Sequence, residues 1–166
     1  MTDHQSAGAV AAPNVARTCA ASSDVRPITQ IDFARAGIVT PQMAAVAAAE
    51  GREPEAIRAA VAAGHIAIPA NIHHTSLSPE GVGGGLRTKV NVNLGISGDL
   101  ADEALEWEKV DVALELGADA IMDLSNSGKT RAFRRALVEK SPAMIGTVPM
   151  YDAIGYLEKA LIAITP

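Results

Sequence analysis

The sequence predicts an α/β fold: a partial (β/α)8 TIM-type barrel of about three β/α units, preceded by a short helical region. Three observations predict it. "TKVNVNLG", 88–95, alternates strictly, with Val90, Val92 and Leu94 on one face and Lys89, Asn91 and Asn93 on the other, the period of a strand. Two further strand-like runs, "DAIMDLS" at 119–125 and "AMIGTVP" at 143–149, alternate with helix-like segments, and such alternation with short connections builds a parallel sheet. Finally, Asn93, Met122 and Tyr151 stand at equal steps of 29 residues, near or just past the strand ends. An equal repeat favours a barrel over an open doubly wound sheet, whose crossovers tolerate uneven lengths.

The elements follow in order. Residues 1–27 are small and polar without periodicity and are expected to form a disordered tail. Residues 28–87 form a helical and extended N-terminal region. Within it, 29–51 breaks at Gly37 and restarts after Thr40-Pro41, where Thr40 suits an N-cap and Pro41 the first helical position. Gly51 suits a stop. "EPEAIRAAVAAG", 53–64, gives a helix with Ile57 and Val61 on one side and Gly64 at its end. "HIAIPANI", 65–72, is extended, and Pro69 confines it to an edge. "SPEGVGGG", 78–85, reads as loop. Residues 88–166 form the barrel units. In "DLADEALEWEKVDVALELG", 99–117, Asp99 is the expected cap, and Leu105, Val112 and Leu116 share a stripe. "KTRAFRRALVEK", 129–140, and "YDAIGYLEKALIAI", 151–164, are the next helices.

Composition narrows the function. The chain has 166 residues, 48% apolar and 20% charged, enough for one soluble domain with a core of Ala, Val, Ile and Leu, since aromatics are only 3%. A net charge of −5 argues against a nucleic-acid partner. With no apolar run of membrane length and no basic, long-cored leader, neither a membrane span nor a signal peptide is expected, and a cytoplasmic location follows. The lone cysteine, Cys19, excludes an internal disulfide and a cysteine-built metal site from this chain alone. Eight β/α units need about 250 residues, so the chain is expected to be part of a larger protein or to be completed by another.

Several motifs carry candidate chemistry. "MDLSNSGKT", 122–130, ends like a phosphate-binding P-loop, but the glycine required five residues before Gly128 is Asp123. The stretch reads instead as a strand-to-helix turn, with Ser125 and Ser127 ahead of a helix N-terminus where anions bind well. "GVGGGLRTK", 81–89, could cradle a phosphate with Arg87 and Lys89, against the simpler reading of a flexible loop. His73 and His74 are adjacent and point opposite ways on an extended chain, which disfavours a shared metal. Asp123 suits an acid–base role at a strand end, or a cap or salt bridge. Asn93, Met122 and Tyr151 would place an amide, a soft apolar wall and a phenol at the C-terminal strand ends, where barrel ligands sit.

"PANIHH", "LRTKVNVNLGIS", "GADAIMDLS" and "SPAMIGTVPMYDA" together resemble the ThiC family, with "ARAGIVTPQM" resembling its N-terminal region; the resemblance covers about residues 28–166. It implies a radical lyase acting on 5-aminoimidazole ribotide with S-adenosylmethionine and a [4Fe-4S] cluster in a (β/α)8 barrel. It carries substrate-binding roles onto the second Asn of "NVN", the Met of "MDLS" and the Tyr of "VPMY", that is Asn93, Met122 and Tyr151.

The resemblance further implies that the family's cluster-binding cysteines and metal-binding histidines, and a zinc with them, lie in later parts outside this chain. No metal ligand is therefore expected here, and catalysis by this chain alone is not. "NVNLGIS", "DLSNSGKT" and "SPAMIGTVPMYDAIG" depart from the usual thiamine enzyme and favour 5-hydroxybenzimidazole synthesis for cobalamin over phosphomethylpyrimidine synthesis for thiamine. The remaining alternative is a truncated or split chain that binds ribotide without turning it over. The resemblance also implies a homodimer when complete.

Overall fold

The computed structural model describes residues 28–98, 102–126, 130–151 and 153. The expected tail at 1–27, Asp99, Ser127 to Lys129 and most of the expected helix at 151–164 lie outside them.

The N-terminal region packs three short helices, α1 (Gln30–Arg35), α2 (Pro41–Ala49) and α3 (Pro54–Ala62). Thr29 and Asp32 form a capping box on α1, and the Thr40 hydroxyl accepts from the Met43 N–H at the head of α2, with Pro41 at the first position. Gly37, Gly51 and Gly64 end the three helices at positive φ, between 61° and 79°, which glycine adopts without strain. Met43, Val46, Ile57, Val61, Ile66 and Ile68 form the core of this region.

A short strand, β1 (Ile66–Ala67), pairs antiparallel with β2 (Val82–Gly83). The second of these falls in the segment read as loop. Its signal was hidden by glycine: a Cβ on Gly83 would stand 2.1 Å from the His65 carbonyl oxygen, so only a bare backbone approaches so closely.

Three strands, β3 (Asn91–Leu94), β4 (Ala120–Asp123) and β5 (Met144–Thr147), form a parallel sheet in chain order, joined through α4 (Glu103–Glu115) and α5 (Arg131–Lys140). One sheet face carries Leu94 and Ile121, and both helices cover it, with Val110 of α4 and Phe133 and Leu137 of α5 in a single cluster. Trp107 and Phe133 meet edge to face at 5.2 Å between ring centres, joining the two helices.

Helix α4 departs from expectation twice. Asp102 caps it, accepting from the Leu105 N–H. Its buried face is Glu106, Val110 and Ala113, while Val112 is 53% and Leu116 82% exposed. The helix carries two apolar stripes, and the one through Trp107, Val110 and Leu114 meets the sheet; Leu105, Val112 and Leu116 instead line an open groove beside Val90 and Val92 at the β3 edge. Among the described residues no helix is long and apolar enough to cross a membrane.

Candidate functional site

The sheet face opposite the helices is defined by register. Asn93 pairs with Met122 and Met122 with Gly146, so these three form one row across β3, β4 and β5, neighbouring strands standing about 4.8 Å apart. Alternation puts the row on the face away from Leu94 and Ile121. Asn93 is exposed and Met122 half-buried. The Asn93 Oδ1 accepts from Asn91 Nδ2 at 2.9 Å, which orients the amide and leaves its nitrogen for another partner.

The C-terminal rim beside this row is tightly held. Asp123 is fully buried; it accepts from Arg134 Nε at 2.8 Å and from the backbone N–H and hydroxyl of Ser125. The Ser125 Oγ in turn accepts from the Ile96 N–H at 2.9 Å, and the Asn126 N–H donates to the Ile96 carbonyl at 3.1 Å. Gly95, at φ 150°, permits this junction: a Cβ there would lie 2.5 Å from the Ser125 nitrogen. Asp123 is thus the salt-bridging, turn-closing residue of the two readings, and the Ser125 hydroxyl is spent inside the fold rather than offered to a phosphate.

The cations beside the glycine-rich segment are paired with carboxylates, which favours the simpler reading of that segment over a phosphate cradle. Arg87 donates to Asp119 through both terminal nitrogens, one at 3.0 Å, and the Lys89 ammonium donates to Glu50 at 2.5 Å with Glu80 at 3.5 Å. The Arg87 guanidinium holds the Asp119 carboxyl below the usual carboxylate range, helped by the Val90 N–H. The Arg87 backbone N–H and then the Lys89 ammonium do the same for Glu50. These cations are committed to carboxylates. His74 is buried, its Nε2 2.7 Å from the Ser141 carbonyl, whereas His73 is exposed.

A profile of the radical SAM ThiC family matches residues 29–165. The chain belongs to that family. It is similar to phosphomethylpyrimidine synthases, at 59% identity over 137 residues for those of Alkaliphilus metalliredigens and Clostridioides difficile and 58% for that of Clostridium tetani. The match takes in 82% of this chain and 30–32% of those relatives, so the chain spans about a third of their length.

Within this ThiC-family chain the residues present do not fit an iron–sulfur cluster. Such clusters are held mainly by cysteine thiolates, the whole sequence holds one cysteine, and among the described residues no three His, Cys, Asp or Glu side chains gather as a metal site.

Of the three candidate ligand residues, Asn93 and Met122 are brought side by side. Tyr151 is not on their row. Gly146 pairs with Met122, so the second repeat is shorter than the first, and Tyr151 falls five residues further on, in a helical turn over 149–151, 39% exposed, with its N–H bonded to the Val148 carbonyl. The equal spacing of 29 therefore marks a register match for one step only. Sequence reasoning passed over Gly146, whose signal was a lone glycine inside a strand pattern.

Proposed function

We propose that this chain is the ribotide-contacting part of a phosphomethylpyrimidine synthase, the radical S-adenosylmethionine lyase that converts 5-aminoimidazole ribotide for thiamine biosynthesis. The observation that carries the reading is the in-register pair Asn93 and Met122 on an open sheet face, in a chain 59% identical to proteins of that name. That identity supports the thiamine branch over the benzimidazole branch, which three motif variants favoured. The parallel order β3-β4-β5 with α4 and α5 on one face is the arrangement three successive units of a barrel would have.

In this reading the Asn93 amide hydrogen-bonds the ribotide, the Met122 thioether packs on it and Tyr151 closes the rim. The radical chemistry belongs to a [4Fe-4S] cluster and S-adenosylmethionine, with zinc as a further metal, whose ligands come from outside this chain. This chain's share is orientation and exclusion of water. The complete enzyme is a cytoplasmic homodimer.

Calorimetric titration of the chain with 5-aminoimidazole ribotide tests the reading. Binding is expected, and Asn93→Ala should weaken it about tenfold, the worth of one hydrogen bond. No heat with the wild-type chain would overturn it. For the branch, the chain joined to the remaining two thirds of the Clostridioides difficile relative and reconstituted anaerobically should release a phosphorylated pyrimidine; a benzimidazole product would reverse the assignment.

A further inference from the structure

We propose that Gly146 is a positioning residue: its missing side chain is a notch in β5 that seats the Met122 thioether and keeps the space beside Asn93 clear for ligand. This rests on the ribotide reading above.

Glycine weakens a strand relative to alanine, so a glycine inside one needs a reason. Backbone conformation does not supply it, because Gly146 lies outside the positive-φ region that the chain's turn glycines occupy. The reason is Met122. A Cβ built on Gly146 would lie 2.8 Å from the Met122 Cε and 2.9 Å from its Sδ, and beyond its chain neighbours it would meet nothing else within 4 Å. The thioether of the central strand is therefore laid across onto β5, over the Gly146 Cα.

That direction matters because Met122 stands between its two register partners, Asn93 on one side and Gly146 on the other. Methionine has three rotatable side-chain bonds and can fill several directions. With the notch open it lies over β5, and the face above β3, where the Asn93 amide nitrogen is available, stays free. A methyl group at 146 would expel the thioether from its seat and drive it toward that free space. The displaced atoms are the far end of a flexible side chain, so the fold would accommodate alanine while the site would not. Gly146 thus acts on ligand through Met122, presenting a polarisable sulfur to the flat face of a planar heterocycle.

The test combines methyl NMR and calorimetry on the chain labelled at its methionine methyls, with the Met122 resonance assigned by its loss in Met122→Leu. In Gly146→Ala the Met122 methyl should shift, the Met43 methyl in the N-terminal core should not, and the melting temperature should be held or raised. Affinity for 5-aminoimidazole ribotide should fall about tenfold, and the same substitution in a Met122→Ala background should add nothing. An unmoved Met122 methyl, or an equal loss of affinity in both backgrounds, would overturn the proposal. Wild-type chain that binds no ribotide sinks the functional reading instead, and the notch is then decided by the methyl shift alone.

Discussion

The carboxylate of Glu106, in the first turn of α4, accepts the backbone N–H of Gly95 at 2.9 Å, just past the end of β3. Glu106 is 2% exposed and is partnered on its other oxygen by Lys109 at 2.6 Å. One buried side chain thus pins the helix to the rim on which the ligand row stands.

Glu106→Ala leaves the part-buried Gly95 N–H without its acceptor, which costs about 1 kcal/mol. Glu106→Gln keeps an acceptor and should cost less than Glu106→Ala. Urea denaturation of the two variants checks the order; equal losses would show that the Gly95 hydrogen bond contributes little.

Asp123 ties β4 to α5 through Arg134 and to the following loop through Ser125. Asp123→Ala leaves the Arg134 guanidinium, 19% exposed, short of its carboxylate and releases Ser125 from its seat under Ile96. We expect a loss of about 1–3 kcal/mol, the scale for leaving hydrogen-bonding groups without their acceptor. Hydrogen exchange should show the Ile96 and Asn126 amides losing protection first, and an intact pattern would remove Asp123 from the rim's support.

Acid should loosen the junction between the N-terminal helices and the sheet. Asp119 and Glu50 hold their protons less tightly in the fold than in the unfolded chain, for the Arg87 and Lys89 contacts already described. Their contribution is complete above the unfolded carboxyl values, which lie near about 4. As pH falls from about 5 the unfolded chain takes up protons first, so stability drops until the folded carboxyls are protonated too. Glu50→Gln and Asp119→Asn should each be less stable at neutral pH and show a shallower fall below pH 5 in thermal melts. A variant melting curve parallel to wild type across that range would refute the linkage.

The two stripes of α4 make opposite predictions. Val110 is 2% exposed and Leu116 82%. Val110→Ala should cost about 2 kcal/mol through lost burial and a residual cavity, whereas Leu116→Gln should change stability by under about 0.5 kcal/mol. Chemical denaturation of both variants decides which stripe faces the sheet.

Much of the fold was legible because its signals are local. Thr40-Pro41 starts a helix through a side-chain cap and a preset φ, and Gly64 ends one because only glycine enters that conformation cheaply, so neither needs a distant partner. Asn93 and Met122 could be placed in phase at neighbouring strand ends because strand period and the first repeat length survive in the sequence, although the same step did not carry to Tyr151. The β2 strand was hidden, since glycines there look like loop until another backbone is seen pressed against them.

By itself, then, the sequence determined the helix boundaries near Thr40, Gly51 and Gly64, the three parallel strands, and membership of a radical SAM family through its linked motifs. Only the tertiary structure decided which apolar stripe of α4 is buried, that Arg87, Lys89 and Ser125 are spent on protein partners, and that Gly146 rather than Tyr151 completes the row with Met122. These turn on which surface meets which, and a chain with two apolar stripes or several free cations offers more than one solution. Packing selects among them because burial and charge pairing act between residues far apart in sequence.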